Sequence, residues 1–446
     1  MQERAPQWGI EPVPQRLRVL GLFDTTLLWS SLGVSLLVLV AGAFLVPALS
    51  LRDALLAILV GSLIGNGMLG AAGLIGADAR VPAMVLLRAP LGRRGSYLPT
   101  VLNVLQCLGW AVFELIIIAT ASAALSKELF GFEARWLWTL VFGLVTLALV
   151  LLGPIGVVRR YLKTFAFWAV VASLAYLTWW TLDGADLGAL WARRGEGGLP
   201  FFGGVDLVVA ITVSWVPLIA DYTRFSRSRA PAFWGTGVGY FVSATWLFAL
   251  GALLFLSRDL GDAAAVPAAV AAGGVGAVLA LLAVTIDEAD EAFANVYSAA
   301  VSTQNVLARV PQRALLVAAT VVATAGALLL EIRDYEAFLY LLGSCFVPLF
   351  GVMLADWLVR GVRFSETDIF RAPPVRPVPV AAWLVGFALY QWLHPVGPSW
   401  WTDLVARVHP AELSTGATLP SFGAAFGLTA LAGIALRRAG PGLARA

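Results

Sequence analysis

Thr212-Val213-Ser214-Trp215-Val216-Pro217 interrupts one long apolar run, and Trp29-Ser30-Ser31-Leu32-Gly33-Val34-Ser35 interrupts another, five runs earlier. Pro217 has no backbone N–H to donate and clashes with the preceding helical turn. Gly33 and the serines around it permit local unwinding. Either break alone could be ordinary packing, since Gly, Ser and Pro are common in membrane helices. Their matching positions fit a chain built from two inverted repeats, in which unwound backbone near the midplane holds solute and ion.

The rest of the chain agrees with a membrane setting. Its 446 residues are 60% hydrophobic and only 13% charged, whereas a soluble chain carries roughly 25% charged residues. Twelve helices are expected, at 21–46, 53–77, 97–125, 136–153, 161–182, 204–223, 231–256, 271–302, 314–332, 335–359, 376–393 and 420–437. Most reach across about 30 Å of hydrocarbon at 1.5 Å per residue. With the N-terminus inside, segments assigned to the cytoplasm hold 22 of the 30 Lys and Arg, a bias that sets both termini in the cytoplasm. The divisions are a cytoplasmic N-terminus 1–20, a first five-helix repeat 21–182, a second 204–359, two further helices 376–437 and a cytoplasmic tail 438–446. The first twenty residues carry no cleavable signal pattern, so the first helix is expected to direct its own insertion into the inner, plasma membrane.

Several readings are excluded or set aside. Cys107 and Cys345 fall inside spans and suggest neither disulfide nor metal spacing, and His394 and His409 share one loop without the ligand set of a zinc site. The net charge of +3 is spread over many loops; it reflects topology, and no nucleic-acid partner is expected. Trp136, Trp138, Trp179, Trp180, Trp400 and Trp401 lie near span ends and suit an interfacial belt. The loop Pro395–Leu419 reads as long and irregular.

The chemical oddity is Asp287-Glu288-Ala289-Asp290-Glu291. Sixteen uncharged residues precede it, Ala271 to Ile286, and Ala292–Ser302 after it is uncharged too. A carboxylate in hydrocarbon costs several kcal/mol, so these acids must face protein or water. If the span ended at Ile286, the acids would sit at the water interface, but the run would then cover only about 24 Å; counting through Ser302 fits better. On an ideal helix Asp287, Glu291 and Asn295 share a stripe, Glu288 points elsewhere and Asp290 is intermediate.

Together these motifs resemble the nucleobase:cation symporters of the purine/cytosine permease type. The resemblance rests on Pro12-Val13-Pro14, Gly73-Leu74-Ile75-Gly76-Ala77, Arg88, Gly92 and Gly95-Ser96-Tyr97-Leu98-Pro99. It continues through Gly109-Trp110, Ser214-Trp215-Val216-Pro217, Ala220-Asp221-Tyr222-Thr223-Arg224-Phe225, Pro348, Gly351 and Ala355-Asp356-Trp357. It implies an all-α, LeuT-type fold of five helices repeated inverted, with two appended and helices one and six broken. It also implies alternating access driven by a cation, with substrate held between helices one, three, six and eight. Asp287 to Ser298 is most similar to the hydroxymethylpyrimidine (thiamine precursor) branch, with cytosine the next candidate and a proton-coupled purine or other nucleobase permease the alternative.

The implied substrate residues are Ser35, Trp110, Glu114, Trp215, Glu291 and Asn295. Trp110 and Trp215 would sandwich a flat ring. Glu114, one turn after Trp110, stands where the family carries an amide and would accept from an exocyclic amine; packing against a neighbouring helix is its alternative. The implied ion site is Ser31, Val34 and Ala289 through their backbones, with Asp290. The family usually has a hydroxyl where Ala289 and Asp290 stand, so Na⁺ is favoured but Asp290 could carry H⁺ instead. Asp221, Arg224 and Asp356 lie at cytoplasmic helix ends as caps or topology anchors, with gate salt bridges the alternative. No cofactor is expected beyond the coupling ion; the partners are the small heterocycle and the lipid bilayer, and the chain is expected to act as a monomer. An intramembrane enzyme lacks a nucleophile or metal set, and a cation channel would conduct without coupling.

Overall fold

The computed structural model describes residues 9–157, 167–330, 335–408 and 416–438. His409, the first residues of the expected 161–182 span and parts of both tails lie outside them. Among the described residues there is no strand, only an isolated bridge between Leu20 and Ser226. Among the described residues seven helices are long and apolar enough to cross a membrane, eight if the bent pair Leu22–Ser31 and Leu36–Phe44 counts as one. Trp168–Leu182, Phe201–Val213 and Pro377–Leu393 are apolar but shorter, and the 271–302 span divides into Val275–Asp287 and Ala289–Thr303.

Both expected breaks are present. The first span bends by 60° between Ser31 and Leu36. The bend begins where Val34 N–H turns back to the Ser31 carbonyl at 2.8 Å, and the second half starts where the Ser35 hydroxyl accepts from Leu37 N at 3.0 Å. That is an N-cap, which supplies an acceptor to one of the helix's orphan donors. The other break follows Val213: tight turns run through Trp215 and Val216 before a short helix resumes at Ala220–Thr223. Its freed carbonyls are met by amides of the Tyr97–Phe130 helix. Gln106 Nε2 donates to Ser214 O at 2.9 Å and Asn103 Nδ2 to Pro217 O at 3.2 Å.

The bent first span packs on Thr236–Ser257, Tyr97–Phe130 on Ala289–Thr303, and Leu51–Ala79 on Phe201–Val213. Tyr335–Val359 and Pro377–Leu393 pack against Thr418–Arg438. Glycines set the closest approach. A Cβ on Gly42 would land on the Phe248 carbonyl oxygen, and one on Gly251 on that of Leu39. The Leu36–Phe44 half-helix therefore lies backbone to backbone against Thr236–Ser257, as small residues permit between membrane helices.

One surface expectation is corrected. The loop 395–419 contains the helix Ser399–Ala406. Of the six tryptophans assigned to a belt, Trp136, Trp179 and Trp400 are exposed, but Trp138, Trp180 and Trp401 are tied into the protein. Trp138 Nε1 donates to Ser126 Oγ, Trp401 Nε1 to Gln391 Oε1, and Trp180 lies 4.0 Å beneath the Arg258 guanidinium.

Candidate functional site

Ser35, Trp110, Glu114, Trp215, Glu291 and Asn295 all line one narrow pocket. Four stretches of chain deliver them. Ser35 comes from the first break, Trp110 and Glu114 from the Tyr97–Phe130 helix, Trp215 from the second break, and Glu291 and Asn295 from Ala289–Thr303. Both indoles are steadied edge-on by other rings. Trp110 meets Tyr335 at 5.7 Å and Phe338 at 5.5 Å; Trp215 meets Trp29 at 5.6 Å and donates from Nε1 to the Tyr240 hydroxyl at 3.0 Å. Such T-shaped pairs fix ring orientation.

The polar groups divide into committed and uncommitted. Glu114 is fully buried with both carboxyl oxygens lacking a donor, and Glu291 Oε1 also lacks one. Trp110 Nε1 is buried without an acceptor. Asn295 Nδ2 donates to the Glu291 carbonyl at 3.2 Å. Ser35 is spent: its hydroxyl caps Leu37 N and donates to Glu288 Oε1 at 2.8 Å.

Glu288 corrects the helical-wheel reading. It does not point elsewhere. Its Oε2 accepts from Leu36 N at 2.7 Å, so together with Ser35 it caps the second half of the broken span. One carboxyl oxygen each from Glu114, Glu288 and Glu291 lies within 4.8 Å of the other two. Asp287, assigned to the stripe with Glu291 and Asn295, faces the other way: the Ser31 hydroxyl lies 3.3 Å from both its carboxyl oxygens. All four acids are buried, at 0 to 3% exposure, so they sit inside the protein and not at a water interface.

The expected ion residues are gathered nearby. Asp290 is buried with neither oxygen meeting a donor, and Ala289 and Val34 are buried beside the break. The Ser31 carbonyl, expected to face an ion, accepts from Val34 N, and the Ser31 hydroxyl engages Asp287. Among the described residues the carboxyl set closest to metal-ligand spacing is Glu114, Glu288 and Glu291, not the Asp290 group.

The residues at the expected cytoplasmic ends are structural ties. Asp221 Oδ1 accepts from Ala83 N at 3.0 Å. Arg224, buried, donates to the Gly9 carbonyl at 2.8 Å and the Tyr297 hydroxyl at 2.9 Å, which fastens the N-terminal segment beneath the site. Asp356 pairs with Arg360 and Arg376. Sequence reasoning placed Glu288 elsewhere and passed over Tyr240, Asn103 and Gln106. The two amides had a visible signal, being polar at i and i+3 within an apolar span, two turns and one turn before Trp110.

Comparison with known proteins gives one consistent result. The profile of a permease family for cytosine/purines, uracil, thiamine and allantoin matches residues 12–397. A hydantoin permease of Microbacterium maritypicum is 26% identical over 380 residues, 79% of this chain and 76% of the relative. A cytosine permease of Escherichia coli K12 is 26% identical over 390 residues, 87% of this chain and 89% of the relative. Among solved structures, Mhp1, a nucleobase-cation-symport-1 family transporter in a closed conformation with bromovinylhydantoin bound, superposes with a TM-score of 0.79 at 22% identity. That match covers 99% of this chain and 96% of the other, and the inward-facing conformation of Mhp1 gives 0.76 at 21% identity. The fold is the expected LeuT-type one.

Proposed function

Since the chain belongs to the permease family for cytosine/purines, uracil, thiamine and allantoin, and is a multi-pass membrane transporter rather than an enzyme, we propose that it imports a small aminopyrimidine by cation symport across the inner membrane. Hydroxymethylpyrimidine is the first candidate and cytosine the second. The observation that carries this reading is the Glu114 carboxyl group, both of whose oxygens lack a donor, beside Glu291, whose Oε1 lacks one, on a pocket walled by Trp110 and Trp215. A carboxylate only accepts. It therefore favours a ring that offers an amine and an adjacent protonatable nitrogen. Uracil and hydantoin instead present carbonyl oxygens beside N–H, which would set acceptor against acceptor at this wall. The coupling ion is proposed to be Na⁺, held near Ser31, Val34, Ala289 and Asp290; a proton carried on Asp290 is the second reading, favoured by its two donor-free oxygens.

A thermal-unfolding screen of the purified chain tests the substrate class. A ligand at 100 times its Kd stabilises the folded state by about 2.7 kcal/mol, which is readily seen as a rise in Tm. Hydroxymethylpyrimidine or cytosine is expected to raise Tm, more so with Na⁺ present, and uracil and hydantoin are not. A rise with uracil or hydantoin and none with either aminopyrimidine would overturn the proposal.

A further inference from the structure

Glu288 has two hydrogen bonds to the broken first span, yet its carboxyl group also stands within 4.8 Å of those of Glu114 and Glu291. Its placement has a local cause. The Leu36–Phe44 helix presents its unsatisfied N–H groups toward the break, and a carboxylate there is stabilised by both hydrogen bonding and the helix dipole. Two acceptor directions of Glu288 are used by Leu36 N and Ser35 Oγ; the carboxylate retains others. The oxygens of Glu114, by contrast, meet no donor, and neither does Glu291 Oε1. Three ionised carboxyl groups at this separation, away from water, repel one another strongly, and either protons shared between them or a cation among them offsets that repulsion.

The dimensions say what kind of positive charge. A triangle with sides of at most 4.8 Å has its centre about 2.8 Å or less from each corner, the length of a charge-assisted N–H···O bond. Calcium takes six to eight oxygens, magnesium near-ideal octahedral geometry, and three carboxyl oxygens supply neither set. The surroundings are those of an organic ligand: Glu114 and Glu291 line a pocket with Trp110 and Trp215, Glu288 stands behind them, and Trp110 Nε1 is a second buried polar atom there without a partner.

We propose that Glu114, Glu288 and Glu291 form a binding site for a planar organic cation of the amidinium type, so that the substrate crosses the membrane in its protonated form. This rests on the aminopyrimidine reading, in which the protonated ring nitrogen and the exocyclic amine form the amidinium edge. The ring nitrogen takes its proton from water on the outer side, and the carboxyl groups hold the resulting cation. The proton leaves to water on the inner side, so one proton enters with each substrate regardless of the ion at Asp290. Glu288 sets both the charge of the site and its attachment to the moving half-helix.

The test uses the full chain in lipid nanodiscs and isothermal titration with benzamidinium, a flat amidinium that keeps its charge at neutral pH, against benzamide, its uncharged isostere. Benzamidinium is expected to bind at least tenfold more tightly than benzamide. Glu288→Gln should remove most of that preference, bringing the two affinities to within about threefold; if this variant does not fold, Glu291→Gln is expected to do the same. Equal affinities, no binding of either compound, or a preference that survives both substitutions would overturn the proposal. Heat from Na⁺ or Ca²⁺ that Glu288→Gln abolishes, without any benzamidinium preference, would overturn it too. Hydroxymethylpyrimidine and cytosine are titrated in parallel. If they fail to bind while the charge preference holds, the aminopyrimidine reading falls and the cation site stands; if they bind and the preference is absent, the reverse is true.

Discussion

Glu114→Gln is expected to weaken binding of an aminopyrimidine by about 10- to 100-fold while leaving Tm unchanged or slightly higher. The substitution keeps the shape of the side chain and replaces one acceptor oxygen with a donor amide. A hydrogen bond to a charged group contributes about 1.5–3 kcal/mol, and the new amide N–H₂ also faces the substrate's own amine. Stability moves the other way because Glu114 has no donor to lose and stands within 4.8 Å of two other carboxyl groups; removing one of three crowded acids relieves repulsion. Equilibrium binding and thermal unfolding on the same preparation check both parts. Unchanged affinity would remove Glu114 from the site, and a parallel collapse of affinity and Tm would make it a packing residue.

Gly251→Leu is expected to abolish the folded protein or to lower its stability by several kcal/mol. Overpacking a side chain into a filled core costs about 1–3 kcal/mol when neighbours can shift. Here the obstacle is the Leu39 carbonyl on the facing helix, and backbone cannot yield without moving the whole half-helix. The reciprocal contact of Gly42 with Phe248 closes the same seam. Gly423→Ala is the control: nothing lies within 4 Å of the added carbon, so it should be neutral or stabilising by up to about 1 kcal/mol through helix propensity. Monodispersity after detergent extraction and Tm read both. A well-folded Gly251→Leu protein would contradict the close helix pairing that carries the Leu36–Phe44 segment.

Much of this was legible in the sequence, for identifiable reasons. The two breaks were marked by Gly33, Ser35 and Pro217, residues whose backbone limits are local and need no tertiary knowledge. The six residues on the cavity were found because polar and aromatic groups in apolar spans were read together with a family pattern. Glu288 was missed because an unbroken helix rotates it away from the Asp287–Glu291 stripe. In the structure the turn tightens there, with Glu291 N reaching Glu288 O at 3.2 Å, and the acid is claimed by Leu36 N. That donor is free only because another span is broken, a long-range fact no local pattern holds. Asp287 was misassigned for the same reason, since its partner Ser31 lies 256 residues away. The helix Ser399–Ala406 was read as irregular because Pro398 and Gly397 dominate its approach and its length is only eight residues.

Cation-driven import of an aminopyrimidine is tested most directly by uptake into proteoliposomes containing only this chain. Labelled hydroxymethylpyrimidine and cytosine are supplied under an inward Na⁺ gradient, an inward proton gradient, or neither. At least one of the two is expected to accumulate above its equilibrium level when a gradient is imposed, and to lose that accumulation when the gradient is collapsed. No accumulation of either compound under both gradients, or accumulation that needs no gradient, would contradict the account.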